Sequence, residues 1–198
     1  MKTKRVIGIS ILSLLLSFYP ASNNIFAQDT AKLSKKEVRR IERKKRKEEK
    51  EKQATAQRKK LSKMLREKEF VFQADKIYFK GNSITVTPDV NFVAVNKDDV
   101  IYQSGFQGLI GWNGVGGITG KGKLEQYKFD EGKNRKSPLS VSAQIEPKGP
   151  GGKLFFHLTV MDNGSADLDL TLSNGTIRMT GFINSPEKSK VFVGQSVY

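Results

Sequence analysis

Two different periods of apolar residues divide this chain. Near the C-terminal end Leu139, Val141, Ala143 and Ile145 alternate with Ser140, Ser142, Gln144 and Glu146, and Ala166, Leu168, Leu170 and Leu172 alternate with Asp167, Asp169, Thr171 and Ser173. A period of two marks strands with one buried face. Asn163-Gly164 and Asn174-Gly175 each stand between such runs. Asn-Gly suits tight hairpins, because both residues tolerate positive φ. A meander is therefore expected over 153–161, 166–172 and 176–184. Similar short runs predict strands at 70–79, 83–87, 91–96, 100–105, 121–129, 137–146 and 190–193, with Asp98-Asp99 at a hairpin turn. Many short strands without a helical period indicate a mainly β fold of about 8–10 strands, an antiparallel β-barrel or β-sandwich; the pattern does not choose between them.

Before residue 70 the pattern is helical and almost wholly polar. From Lys35 to about Lys68 there is no Gly or Pro, and Ser34-Lys35-Lys36-Glu37 has the form of a capping box. A long charged helix is expected. Leu33, Val38 and Ile41 share one arc, whereas Leu61, Met64 and Leu65 fall on roughly the opposite side, so no continuous apolar stripe exists. This argues against a long coiled coil and against an amphipathic helix lying in a membrane surface. Leu61, Met64 and Leu65 are expected to dock on the β domain, and the stretch from Glu42 to Gln53 to be solvated.

The first residues carry a third pattern. Lys2, Lys4 and Arg5 precede an apolar run from Val6 to Leu16, and the small residue Ala27 stands before Gln28. That is the layout of a secretory signal peptide, with cleavage after Ala27 favoured over Ala21. The run is about 11 residues, short of the roughly 20 that span a bilayer. The expected organisation is a signal peptide at 1–27, a basic helical or partly disordered segment at 28–69, and a β domain at 70–198. The expected location is the periplasm or cell envelope, with the cell exterior as the alternative.

Charge sharpens this division. The formal net charge is +15, and residues 29–69 hold 18 Lys and Arg against 8 Asp and Glu, whereas residues 70–198 hold 14 against 12. The basic segment reads as a spacer or as a peripheral contact with anionic lipid or lipopolysaccharide. Nucleic acid is not expected as a partner, since the segment has no aromatic residue before Phe70 and export leads away from the genome. The absence of cysteine excludes a disulfide framework, a zinc-thiolate site and a thiol nucleophile.

Phe70-Val-Phe-Gln-Ala-Asp75, Asn91-Phe-Val-Ala-Val95, the glycine-rich Asn113–Gly122, the run Leu154–Val160 followed by Asn163-Gly-Ser-Ala166, and the closing Ser189–Gly194 together resemble a family of secreted Bacteroidota proteins known as domain of unknown function forty-two fifty-one. The resemblance runs from about Leu61 to Val197. It implies an exported single-domain β protein led by a charged helix, and it supplies no activity, cofactor or catalytic residue.

Candidate chemistry is sparse. The glycine stretch from Gly105 to Gly122 fits neither a phosphate loop nor a dinucleotide fingerprint. It reads as a loop leading into a strand, or as a flap whose apolar residues Phe106, Leu109, Ile110 and Trp112 offer a surface to a ligand or partner. His157, inside a strand, reads as a structural or surface histidine. Asp167 and Asp169, roughly 7 Å apart on one strand face, could serve hydrolysis or a weak calcium site, but such a pair is ordinary on a polar face. No catalytic, metal or cofactor-binding residue is assigned. The expected function is an exported, non-enzymatic β-domain protein that binds an apolar or amphiphilic ligand or an envelope partner. One alternative is a structural or assembly factor whose interior is filled by Phe70, Phe72, Phe92, Phe155 and Phe156; another is a hydrolase using Asp167 and Asp169.

Overall fold

The strand on which the fold closes is β1, Glu69–Phe79, because it is hydrogen-bonded along both edges. The computed structural model describes residues 34–79, 81–105, 116–134, 137–149, 152–173 and 175–194. A helix α1 (Lys35–Glu67) precedes β1, and the chain continues through β2 (Asn82–Thr85), β3 (Phe92–Asn96), β4 (Asp99–Ser104), β5 (Ile118–Asp130), β6 (Leu139–Pro147), β7 (Leu154–Val160), β8 (Ser165–Leu172) and β9 (Gly175–Asn184). From β3 to β9 each strand pairs antiparallel with the next, and β9 pairs with β1. Eight strands therefore form a closed antiparallel barrel, and β2 is a ninth, attached beside the second half of β1.

The expected segment at 190–193 is not a strand. After a single 3-10 turn at Pro186–Lys188 the chain runs as an irregular strap along the outside of the barrel. Gln103 clamps it by donating from Nε2 to the Phe192 carbonyl at 2.8 Å and accepting from the Gly194 N–H at 2.8 Å. A side-chain amide here replaces the ladder bonds that a tenth strand would have made.

Strand β5 begins at Ile118, within the stretch read as a glycine loop. At Gly120 a side chain is excluded by packing, since a Cβ would lie 2.1 Å from the Tyr102 ring on the neighbouring strand. Gly120 is thus a strand residue that makes room for an inward aromatic side chain.

The lumen is filled by the chain itself. Phe70, Phe72, Val141, Ile145, Leu158 and Leu168 are all nearly inaccessible and belong to one continuous apolar cluster. This matches an eight-stranded barrel, whose interior is just wide enough for side chains to fill it. Phe156 joins the cluster, but Phe155, its neighbour on β7, points outward and is 52% exposed. Phe92 is buried on the outward face of β3, opposite Gln103 and Gln73 in the register, where the strap passes. Two of the five phenylalanines proposed as lumen fillers thus lie elsewhere, because strand parity sets the face of each residue.

The chain divides into two compact units, residues 1–40 and 41–198. In the first, the described residues 34–40 open α1 with the expected capping box: the Ser34 N–H donates to the Glu37 carboxylate at 2.8 Å, and the Glu37 N–H donates to Ser34 Oγ at 3.3 Å. In the second, α1 becomes an integral part of the barrel over its last turns. Partial or full burial recurs at Ala54, Arg58, Leu61 and Leu65, a spacing that keeps one helical face against the protein. Leu61 and Leu65 enter the core cluster, each contributing about 1.5–3 kcal/mol by burial. Lys68, with φ of 57°, ends the helix and turns the chain into β1.

Polar contacts fix this docking at the barrel end that carries the β3–β4, β5–β6 and β7–β8 connections. Arg58 donates to the Ser137 carbonyl at 2.8 Å, the Glu131 carbonyl at 2.5 Å and Asp162 Oδ1 at 2.7 Å. Glu131 accepts from Ser62 and, at 2.7 Å, from Arg66, and these donors hold its carboxyl below the usual carboxylate range. Tyr127 donates to the Leu65 carbonyl at 2.5 Å, and burial pushes its hydroxyl pKa up.

A polar groove on the outer wall

The surface proposed at Phe106, Leu109, Ile110 and Trp112 lies outside the described residues. The other candidates do meet. Asp167 and Asp169 both face outward on β8 and line one open groove of about 720 Å³ with Tyr78, Thr159, Arg178 and Thr180. A second depression of about 300 Å³ shares Asp169 and adds Phe155, His157, Ser142, Gln126 and Gln144.

Barrel register builds this wall one row at a time. His157 on β7 stands opposite Ser142 on β6 and Asp169 on β8, and Asp169 stands opposite Arg178 on β9, which in turn faces Tyr78 on β1. His157 Nδ1 and Ser142 Oγ share a hydrogen bond at 2.9 Å. Arg178 grips Asp169 with two bonds, Nε to Oδ1 at 2.7 Å and Nη2 to Oδ2 at 3.1 Å. This fork geometry holds the Asp169 carboxyl below its ordinary value, with a smaller contribution from His157. In the next row Thr180 donates to Asp75 Oδ1 at 3.0 Å.

The arrangement is poorly suited to hydrolysis by the acidic pair. A general acid working near neutral pH needs a raised carboxyl pKa, whereas Arg178 lowers that of Asp169. Ser142, His157 and Asp169 have the composition of a catalytic triad, but both Asp169 oxygens are engaged by Arg178. The adjacent backbone lies in paired strands, whose N–H groups serve the ladder rather than an oxyanion. Among the described residues no three His, Cys, Asp or Glu side chains group as metal ligands. What the wall does offer is fixed hydroxyls, amides and a guanidinium flanked by two outward aromatic rings.

A family model described as Domain of unknown function (DUF4251) matches residues 51–183. The chain belongs to the DUF4251 family. A solved DUF4251 family protein from Bacteroides eggerthii is similar in fold, with a TM-score of 0.53 and 26% identity over 71% of this chain and 96% of that one. A search of curated proteins returned no match. The DUF4251 match begins three residues before Ala54, the first residue of α1 to be partly buried beyond the wholly exposed stretch. The family unit thus takes in the docked part of the helix together with the barrel.

Sequence reasoning paired Asp167 with Asp169 but missed Ser142, Arg178, Tyr78 and the outward Phe155 as their neighbours. The signal available for Arg178 was its alternation with Ile177 and Met179 along β9, which assigns it to the outer face. Its position opposite Asp169 depends on the register of the β8–β9 hairpin. Phe155 carried a weaker signal, as the residue out of phase with Leu154, Phe156 and Leu158.

Proposed function

We propose that this DUF4251 protein is an exported, non-enzymatic binding module of the cell envelope that holds its partner on the outer wall of the barrel. The observation that carries this reading is the occupied lumen: the core cluster fills the space that a ligand-carrying barrel leaves open, whereas the groove lies outside. A fixed, closed barrel also suits recognition by a rigid surface, since little side-chain order must be gained on binding.

Native mass spectrometry with organic extraction of the mature protein, purified from its own envelope, tests the lumen half of this reading. A protein-only mass is expected; a stoichiometric lipid released only on unfolding would overturn it. Retention on isolated envelope material tests the other half. Thr180→Trp, which crowds the groove, should weaken retention, and equal retention contradicts an outer-wall site.

The basic helix supports a second, separable contact. Between residues 35 and 53 there are eleven Lys or Arg against five Asp or Glu, and no residue of that stretch is buried. Such a segment is drawn to anionic head groups by about 1 kcal/mol per basic residue near the surface.

A further inference from the structure

We propose that the outer-wall groove is a carbohydrate site that takes a neutral glycan chain of the cell's own envelope. The inference rests on the outer-wall reading above and adds the chemistry of the partner. Three independent features of the wall converge on it.

The first is charge. The two depressions together are lined by two acidic residues, Asp167 and Asp169, and two basic ones, Arg178 and Lys128, and one pair of these is already bonded internally. Such a wall has no excess charge with which to hold an anionic or cationic partner, so it complements an uncharged one. Lipid head groups and nucleic acids are disfavoured on this ground.

The second is the placement of aromatic rings. Outward positions lining these depressions are mostly polar, yet two exposed rings stand among them, Tyr78 in the groove and Phe155 in the second depression, with Phe182 a third exposed ring on the outer face of β9. Tyr78 and Phe155 stand three strand spacings apart, roughly 14 Å across the strands, and one two-residue step apart along them, roughly 7 Å. An exposed aromatic face amid hydroxyls and amides matches a sugar ring, which presents an apolar face of C–H groups and an equatorial rim of hydroxyls. Between these two rings, on β8 and β9, the Arg178–Asp169 pair provides donors and acceptors held in fixed directions.

The third is backbone strain. Gln126, which lines the second depression, has φ of 48° at an irregularity in the β5–β6 register between Glu125 and Lys128. A bulge re-aims side chains, and a left-handed conformation in a non-glycine residue costs about 1 kcal/mol or more. Here it turns an amide toward the Phe155 side of the wall.

The test is a titration of the mature chain with delipidated neutral polysaccharide from the producing bacterium's own envelope, followed by amide NMR, with cellohexaose and chitohexaose as foreign chains. The expected result is saturable binding of the native polysaccharide, with shifts centred on Phe155, His157, Asp169 and Arg178. Phe155→Ala and Arg178→Ala should each weaken binding by roughly tenfold, about 1.4 kcal/mol, while Lys121→Ala, outside the groove, leaves it unchanged. All three side chains are outward, so unaltered thermal melting will show that the variants are folded. No binding, binding of the foreign chains alone, or shifts outside the groove would overturn the proposal. If the polysaccharide fails but Thr180→Trp still impairs envelope retention, the outer-wall reading stands and the glycan class falls; if retention is also unchanged, both fall.

Discussion

At Gly181 on β9 the barrel seam leaves no room for a methyl group. A Cβ there would lie 2.0 Å from the Gln73 carbonyl oxygen and 2.9 Å from Ala74 Cα, beside the register shift where β1 bends. Gly181→Ala must therefore push the closing strands apart. A loss of about 1–3 kcal/mol in urea unfolding is expected, and an unchanged midpoint would mean that the seam is looser than its geometry. Arg178 behaves differently. Its pair with Asp169 is largely solvent-exposed, so Arg178→Ala should cost under about 1 kcal/mol of stability. This separation makes Arg178 a clean probe of binding. The sequence shows Asp167 and Asp169 on one face through their period of two. The Ser142–His157–Asp169–Arg178 row was not legible, because register depends on how each connection closes. Near Asn163-Gly164, for example, the connection spans Met161 to Gly164, with the Met161 N–H donating to the Ser165 carbonyl at 2.9 Å.

The helix carries two roles along one element. Leu61 and Leu65 fill the barrel end, so Leu65→Ala should destabilise the protein by about 2–5 kcal/mol, read from urea midpoints; a smaller loss would show that the helix only rests on the surface. The latch at Glu131 adds a pH dependence. Its carboxyl pKa is depressed in the folded state by Ser62 and Arg66. The stabilisation is thus complete above the unfolded value of about 4.3 and is lost as pH falls through that value toward the folded one. Thermal melts between neutral pH and about pH 3 should show a steeper acid loss in the wild type than in Glu131→Gln; parallel curves would contradict the latch. The capping box and the docking of Leu61 and Leu65 were both readable from residue spacing. The end of the free part was legible too, since the stretch 42–53 holds no apolar residue and partial burial begins at Ala54. Deleting residues 29–50 should consequently leave the melting temperature almost unchanged while abolishing low-salt retention on anionic vesicles. Undiminished retention would make the segment a spacer.

For the molecule as a whole, the alternation pattern announced a β fold, but barrel and sandwich differ in one pairing, β1 with β9, between strands about 100 residues apart. No local pattern encodes such a contact. Closure leaves the barrel a filled core and one continuous outer wall, and the function proposed for this DUF4251 protein follows from that division. Site-specific photocrosslinking in the producing cells tests it most directly, with the reactive group at position 171 or 180 in the groove and at position 121 on β5 as the control. The account predicts one recurrent adduct from both groove positions and none from the control. Adducts from position 121 alone, or none from the groove, would contradict it.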